Sequence, residues 1–178
     1  MILIGCKPEG RHTEQHDIYF AIGDKMADLK KHLLDFWPEA KGKIHVDAWR
    51  EVKNVNGYQV TVEEKSRSLK TDAKLFFINL GGYKPKEFDE FHYRMIIAAK
   101  DKGEAVRQAK QTAFYKHVQF AGATSHIDDK YGVDVDDVAE ITEILDKEFT
   151  EKYSIKLTPS DNAVEDEMHL GYFKIDKL

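Results

Sequence analysis

Apolar and polar positions alternate along this chain with two periods, and the change from one to the other marks out its elements. Met1 to Cys6 is a short apolar run that reads as a buried strand, and Lys7-Pro8-Glu9-Gly10 after it is turn chemistry. From Glu14 the period is two. Glu14, His16, Ile18, Phe20 and Ile22 fall on one face, and Thr13, Gln15, Asp17 and Tyr19 on the other. The glutamate and histidine are therefore expected at the polar end of the face that turns toward the core. After Gly23 the period lengthens. Met26, Leu29, Leu33 and Phe36 recur at helical spacing, with Asp24 placed to cap the helix and Pro38 to end it. Ile44 to Val62 reads as strand, turn, strand. Its turn is Asn56-Gly57, the residue pair best suited to two successive positive φ angles.

Residues 63–74 are polar and charged without an apolar period, and read as a connection. A second set of elements follows. Leu75 to Leu80 is a strand that Gly81-Gly82 is expected to break. Phe91 to Ala99 is apolar on both faces at its end, which suits a central strand. Asp101-x-x-Glu104 has the form of a capping box, and Ala105, Ala109 and Ala113 run along the helix it opens. Val138, Ile141, Leu145 and Phe149 have helical spacing and predict a helix over 137–148, whereas the internal parallel with the first half, which has its hairpin at this place, argues for a strand. Tyr153 to Leu157 alternates as a closing strand before Pro159. The tail, His169 to Ile175, alternates as a last strand and echoes His16 to Ile22.

The two sets of elements carry matching polar groups. Glu14-Gln15-His16 and Glu90-Phe91-His92 each follow a glycine and a Lys-Pro pair. His45-Val46-Asp47 and His126-Ile127-Asp128 each follow a helix signal. The expected fold is thus α+β, two pseudo-repeated β-β-α-β units in a compact single-chain tandem. The expected boundaries are residues 1–65 for the first unit, 74–159 for the second and 160–178 for the closing strand.

Composition narrows the function classes. The chain has 178 residues, 42% of them hydrophobic, enough for a real core. A net charge of −5 and pI near 5.9, with both signs interspersed, argue against a nucleic-acid partner. No apolar run approaches the ~20 residues of a membrane span, so no membrane partner is expected. The single cysteine, Cys6, excludes an intramolecular disulfide and lies in an apolar run, as an inert structural thiol does. Leu3-Ile4-Gly5-Cys6 has the look of a lipoprotein cleavage box but lacks the basic and apolar regions that precede one. The expected location is the cytoplasm.

Two residues apart on a strand, a Glu and a His point the same way, as do a His and an Asp. If the two strands are neighbours, each unit gathers two imidazoles and two carboxylates. Those sets are Glu14, His16, His45 and Asp47, and Glu90, His92, His126 and Asp128. Such donors suit a divalent metal or a small ligand, and a bound metal would open the way to metal-assisted hydrolysis. No nucleophile motif such as Gly-x-Ser-x-Gly is present. Two other uses compete. The groups can pair with one another to make their placement near a core tolerable. The chain can also be an interaction or dimerisation module, self-associating as a homodimer through a sheet edge.

Asn79-Leu80-Gly81-Gly82-Tyr83, Glu90-x-His92 and His126-x-Asp128, with Phe36-Trp37, His45-Val46-Asp47-Ala48-Trp49 and Asn56-Gly57-Tyr58 in the first half, together resemble a small bacterial family. Its members carry one or two copies of a domain of unknown function numbered fifteen-forty-three. The terminal Gly171-Tyr172-Phe173-Lys174-Ile175 also resembles the way such chains end. The first half has Gly5-Cys6 where the second has a double glycine. The resemblance implies duplication and carries no activity with it.

Overall fold

The structure is a computed structural model that describes residues 1–65, 72–83, 86–118, 134–161 and 164–178. His126 and Asp128 lie outside the described residues, as do residues 66–71 of the connection. Among the described residues the fold is α+β, with three antiparallel sheets and few helices. The chain divides into two compact units, residues 1–54, 145–153 and 164–178 in the first, and 55–144 and 154–163 in the second.

In the first unit β1 (Ile2–Cys6) is flanked by β2 (Gln15–Tyr19) and β3 (Ile44–Trp49). Strand β10 (His169–Lys174) pairs with the outer side of β3, giving the order β10-β3-β1-β2. Ile2, Ile4 and Cys6 point to one face because side chains alternate. There they meet Tyr19, Ile44, Val46 and, from the helical segment, Leu29 and Leu33. Phe149 and Ile175 complete this core. Tyr19, expected on the polar face, is buried here, while His16 and Ile18 take the opposite face of the sheet. The strand ends at Tyr19, so Phe20 and Ile22 do not extend the alternation that placed His16 with the core. Asp24 does not cap the helix. A 3-10 turn, Met26–Leu29, begins after Lys25 without a side-chain cap and runs into α1 (Lys30–Phe36).

In the second unit β6 (Lys74–Tyr83) is central, between β7 (Glu90–Ala99) and β8 (Asp134–Glu140). Phe76, Ile78 and Leu80 on one face of β6, with Ile97 and Ala99 of β7, pack on Ala105 and Ala109 of α2 (Lys102–Val118). The helix is capped as its sequence predicts. Asp101 Oδ1 accepts from the Glu104 amide at 2.8 Å, and Glu104 reaches back to the Lys100 amide at 2.9 Å.

Three expectations fail in this unit. Gly81-Gly82 does not break β6, which pairs with β7 as far as Tyr83. Gly81 instead leaves room for the Asp136 side chain of the neighbouring β8. β7 is an edge strand of its sheet, and its apolar end is buried on α2 and beside Asn56. The helix predicted over 137–148 is a strand to Glu140, followed by short helices α3 (Ile141–Ile144) and α4 (Lys147–Lys152). Val138 and Ile141 fit a helical period, but pairing with β6 takes the first part of the segment. The internal parallel with the first half pointed correctly to a strand there.

The Asn56-Gly57 turn joins β4 (Asn54–Val55) to β5 (Tyr58–Glu64), with φ of 30° and 87°. The order of this sheet is β4-β5-β9, with β9 at Tyr153–Pro159. Asn56 has a second task. Its amide nitrogen donates to the Ala98 carbonyl at 3.0 Å, and its oxygen accepts from the Ala98 amide at 2.7 Å, satisfying backbone on β7.

Candidate functional site

The first unit brings together all four residues expected of it. In the ladder, Gly5 of β1 lies opposite His16 of β2 and opposite His45 of β3. The β3 register slips between Leu3 and Ile4: Ala48 pairs with Leu3 and Val46 with Ile4. Asp47 is thereby the extra residue of a bulge, a device that re-aims a side chain. Its carboxylate lies over Gly5, where a Cβ would come within 2.5 Å of both Asp47 Oδ2 and His45 Nε2. Only glycine leaves this space.

The donors meet over that glycine. His45 Nε2 is 3.2 Å from Glu14 Oε1 and 3.2 Å from Asp47 Oδ1. His16 Nε2 is 3.3 Å from Asp47 Oδ2 and 3.9 Å from Glu14 Oε2. Glu14 and His16 are well exposed, whereas His45 is only 5% exposed. Tyr172 of β10 stacks on the His45 ring with centroids 4.2 Å apart, and keeps most of its own surface in solvent. His45 Nε2 and Asp47 Oδ2 are buried at these contact distances without hydrogen-bond geometry. The closeness is therefore not explained by hydrogen bonding between them. Among the described residues, no group of three or more His, Cys, Asp or Glu side chains stands in the geometry of a metal site.

The second expected set is only partly described. Glu90 opens β7 opposite Tyr83 and is exposed. His92 lies opposite Gly81, and its Nδ1 is 3.2 Å from Asp136 Oδ2. Across Gly81 on the other side, the ladder partner is Asp134. Asp136 was not anticipated. The signal was available, since Asp134-Val135-Asp136 shares its Val-Asp with His45-Val46-Asp47. The helical period of the residues that follow and the nearer likeness of His126-Ile127-Asp128 to His45-Val46-Asp47 mask it.

A separate cluster ties the first unit's helices to its sheet. The Tyr19 hydroxyl donates to Asp146 Oδ2 at 2.5 Å, and His32 Nδ1 lies 3.3 Å from the same oxygen. Burial first, and this hydrogen bond second, push the Tyr19 hydroxyl well above its ordinary pKa.

The segment that holds all four converging residues of the first unit, and the bulge among them, also carries a family match. Residues 11–62 match the family described as Domain of Unknown Function (DUF1543). This bears out the family resemblance seen in the sequence, and that family brings no activity with its name. No curated protein matches the chain. The crystal structure of a protein Il1583 from Idiomarina loihiensis is similar to the chain, with a TM-score of 0.64 and 15% identity. The similarity covers 98% of this chain and 94% of that one, a likeness of fold. No helix among the described residues is long and apolar enough to cross a membrane.

Proposed function

We propose that the first unit binds a divalent metal ion through Glu14, His16, His45 and Asp47. The observation that carries this reading is the buried His45 Nε2, which lacks a hydrogen-bond partner and faces two carboxylates over a glycine. Ligands about 2.0–2.1 Å from a tetrahedral ion sit about 3.3–3.4 Å from one another. The donor separations in the cluster run from 3.2 to 3.9 Å. Reaching ligation from here takes rotation of side chains rather than movement of strands. Two imidazoles and two carboxylates favour zinc, or another borderline ion such as nickel or iron. Tyr172 would fix the His45 ring plane, as outer groups commonly do for metal-bound imidazole. If the ion retains a water, metal-assisted hydrolysis is the reaction class this centre would serve.

The chain is, in the same reading, a tandem of two β-β-α-β units. The support is a shared arrangement: a central strand with a mid-strand glycine, a histidine opposite it, and a bulged aspartate from the third strand.

The test is metal analysis of protein purified without chelator, repeated on His45→Ala and on a His16→Ala/His45→Ala double variant. Bound metal near one ion per chain, lost in the double variant while far-ultraviolet circular dichroism is kept, supports the reading. Metal-free protein that also fails to take up added zinc overturns it. In that event a large fall in stability of the variants would mark the cluster as mutual pairing.

A further inference from the structure

We propose that the second unit contains a binding centre of its own, built from Asn79, His92, Asp136 and Asp137 around Gly81, that takes a hard divalent cation of the magnesium, manganese or calcium class. The choice of a cation rests on the reading of the first centre, but the geometry stands separately. Gly81 lies opposite His92 in β7, eleven residues onward, as Gly5 lies opposite His16. The β8 register slips between Asn79 and Leu80: Asp137 pairs with Asn79 and Val135 with Leu80. Asp136 is left as the extra residue, in the position that Asp47 takes against β1. Its carboxylate occupies the space over Gly81, and a Cβ there would overlap it. Asn79 and Gly81 share one face of β6, the face turned away from the Phe76, Ile78 and Leu80 that pack on α2.

Asn79 points to a ligand. It is 8% exposed, and its Nδ2 is 3.1 Å from Asp137 Oδ2 and 3.3 Å from His92 Nδ1. Its Oδ1 is buried without a partner. Which amide atom is oxygen depends on the surrounding network. In the orientation described, a buried carbonyl oxygen goes unused. In the reversed one, the oxygen faces the Asp137 carboxylate and the imidazole, and a cation among the three would satisfy them all. The ladder position that holds His45 in the first unit holds Asp134 here. With one imidazole and several oxygens in place of two imidazoles, the donor set shifts toward ions that prefer oxygen.

The experiment titrates chelator-stripped full-length chain with Mn2+ alone, followed by electron paramagnetic resonance of free Mn2+. The His16→Ala/His45→Ala double variant serves as the background, so that the first centre does not contribute. We expect that background to bind one Mn2+ per chain. Asp136→Asn and, independently, Asn79→Leu should each weaken it by about tenfold or more, the scale on which changes around a ligand shell act. Circular dichroism identifies any variant that has unfolded, and Asn79→Asp, which keeps the shape, is then expected to bind at least as tightly as the background. No Mn2+ binding by the double-variant chain, or binding indifferent to both further substitutions, overturns the proposal. Failure of the first centre would appear instead as absence of zinc from the wild-type chain, with the Mn2+ result still standing.

Discussion

Gly5 fixes the first centre more than any of its charged residues. An alanine there would put a methyl group 2.5 Å from His45 Nε2 and Asp47 Oδ2, and neither can retreat far. The imidazole is held beneath Tyr172, and the carboxylate is held by the bulge. Gly5→Ala is expected to cost roughly 1–3 kcal/mol as an overpacking change and to abolish zinc uptake. Urea denaturation and metal analysis of the same sample check both parts. Retained zinc with unchanged stability would mean that the space over Gly5 is not the site. The sequence named Glu14, His16, His45 and Asp47 because alternation and spacing are local properties of a strand. It could not show which of them is buried, since His45 owes its cover to Tyr172, far along the chain.

Among the elements, β2, α1 and the segment before α4 are tied by the Tyr19–Asp146–His32 cluster. A hydrogen bond to a carboxylate contributes about 1.5–3 kcal/mol. Below pH ~10, Tyr19 is protonated in both folded and unfolded chains, and that contribution is complete. Above it the unfolded chain gives up the proton while the buried hydroxyl keeps it, so the folded state holds more protons and stability falls as pH rises. Tyr19→Phe should therefore be less stable than wild type at pH 8, with the gap narrowing by pH 11. Chemical denaturation at the two pH values measures this, and a constant gap would refute it.

The element scale is also where sequence reading met its clearest limit. The Asn56-Gly57 turn and the Asp101 cap were legible because a turn or a cap is settled by residues that are neighbours in the chain. Residues 137–140 were not, because a strand's partner decides its state, and that partner, β6, is remote in sequence. Gly81-Gly82 misled for the same reason. A glycine pair reads as a break until the Asp136 carboxylate that needs the space is known.

At the scale of the whole molecule, the first unit is assembled from three stretches of chain, and its last contributes β10. Strand β10 covers the outer edge of β3 and supplies Tyr172 to His45 and His169 to Trp49, the latter pair stacked at 3.9 Å. Asp166, in the same stretch, accepts the Lys53 and Asn54 amides at 3.0 Å each. A chain ending at residue 163 should lose zinc uptake together with the near-ultraviolet circular dichroism signal of the ordered Trp49. Retention of both by the shortened chain would show that β10 is dispensable for the centre.

By itself the sequence determined the α+β class, most strands, the hairpin turn, the family resemblance and the four residues that converge in the first unit. These follow from side-chain alternation, turn chemistry and short spacings, all read within a few residues. Tertiary structure alone decided which face of β2 meets the core, that α1 goes uncapped by Asp24, that β6 runs through its glycines, and that Asp136 stands beside His92. Each of these depends on a strand register or a covering side chain set by residues distant in sequence, which no local pattern encodes.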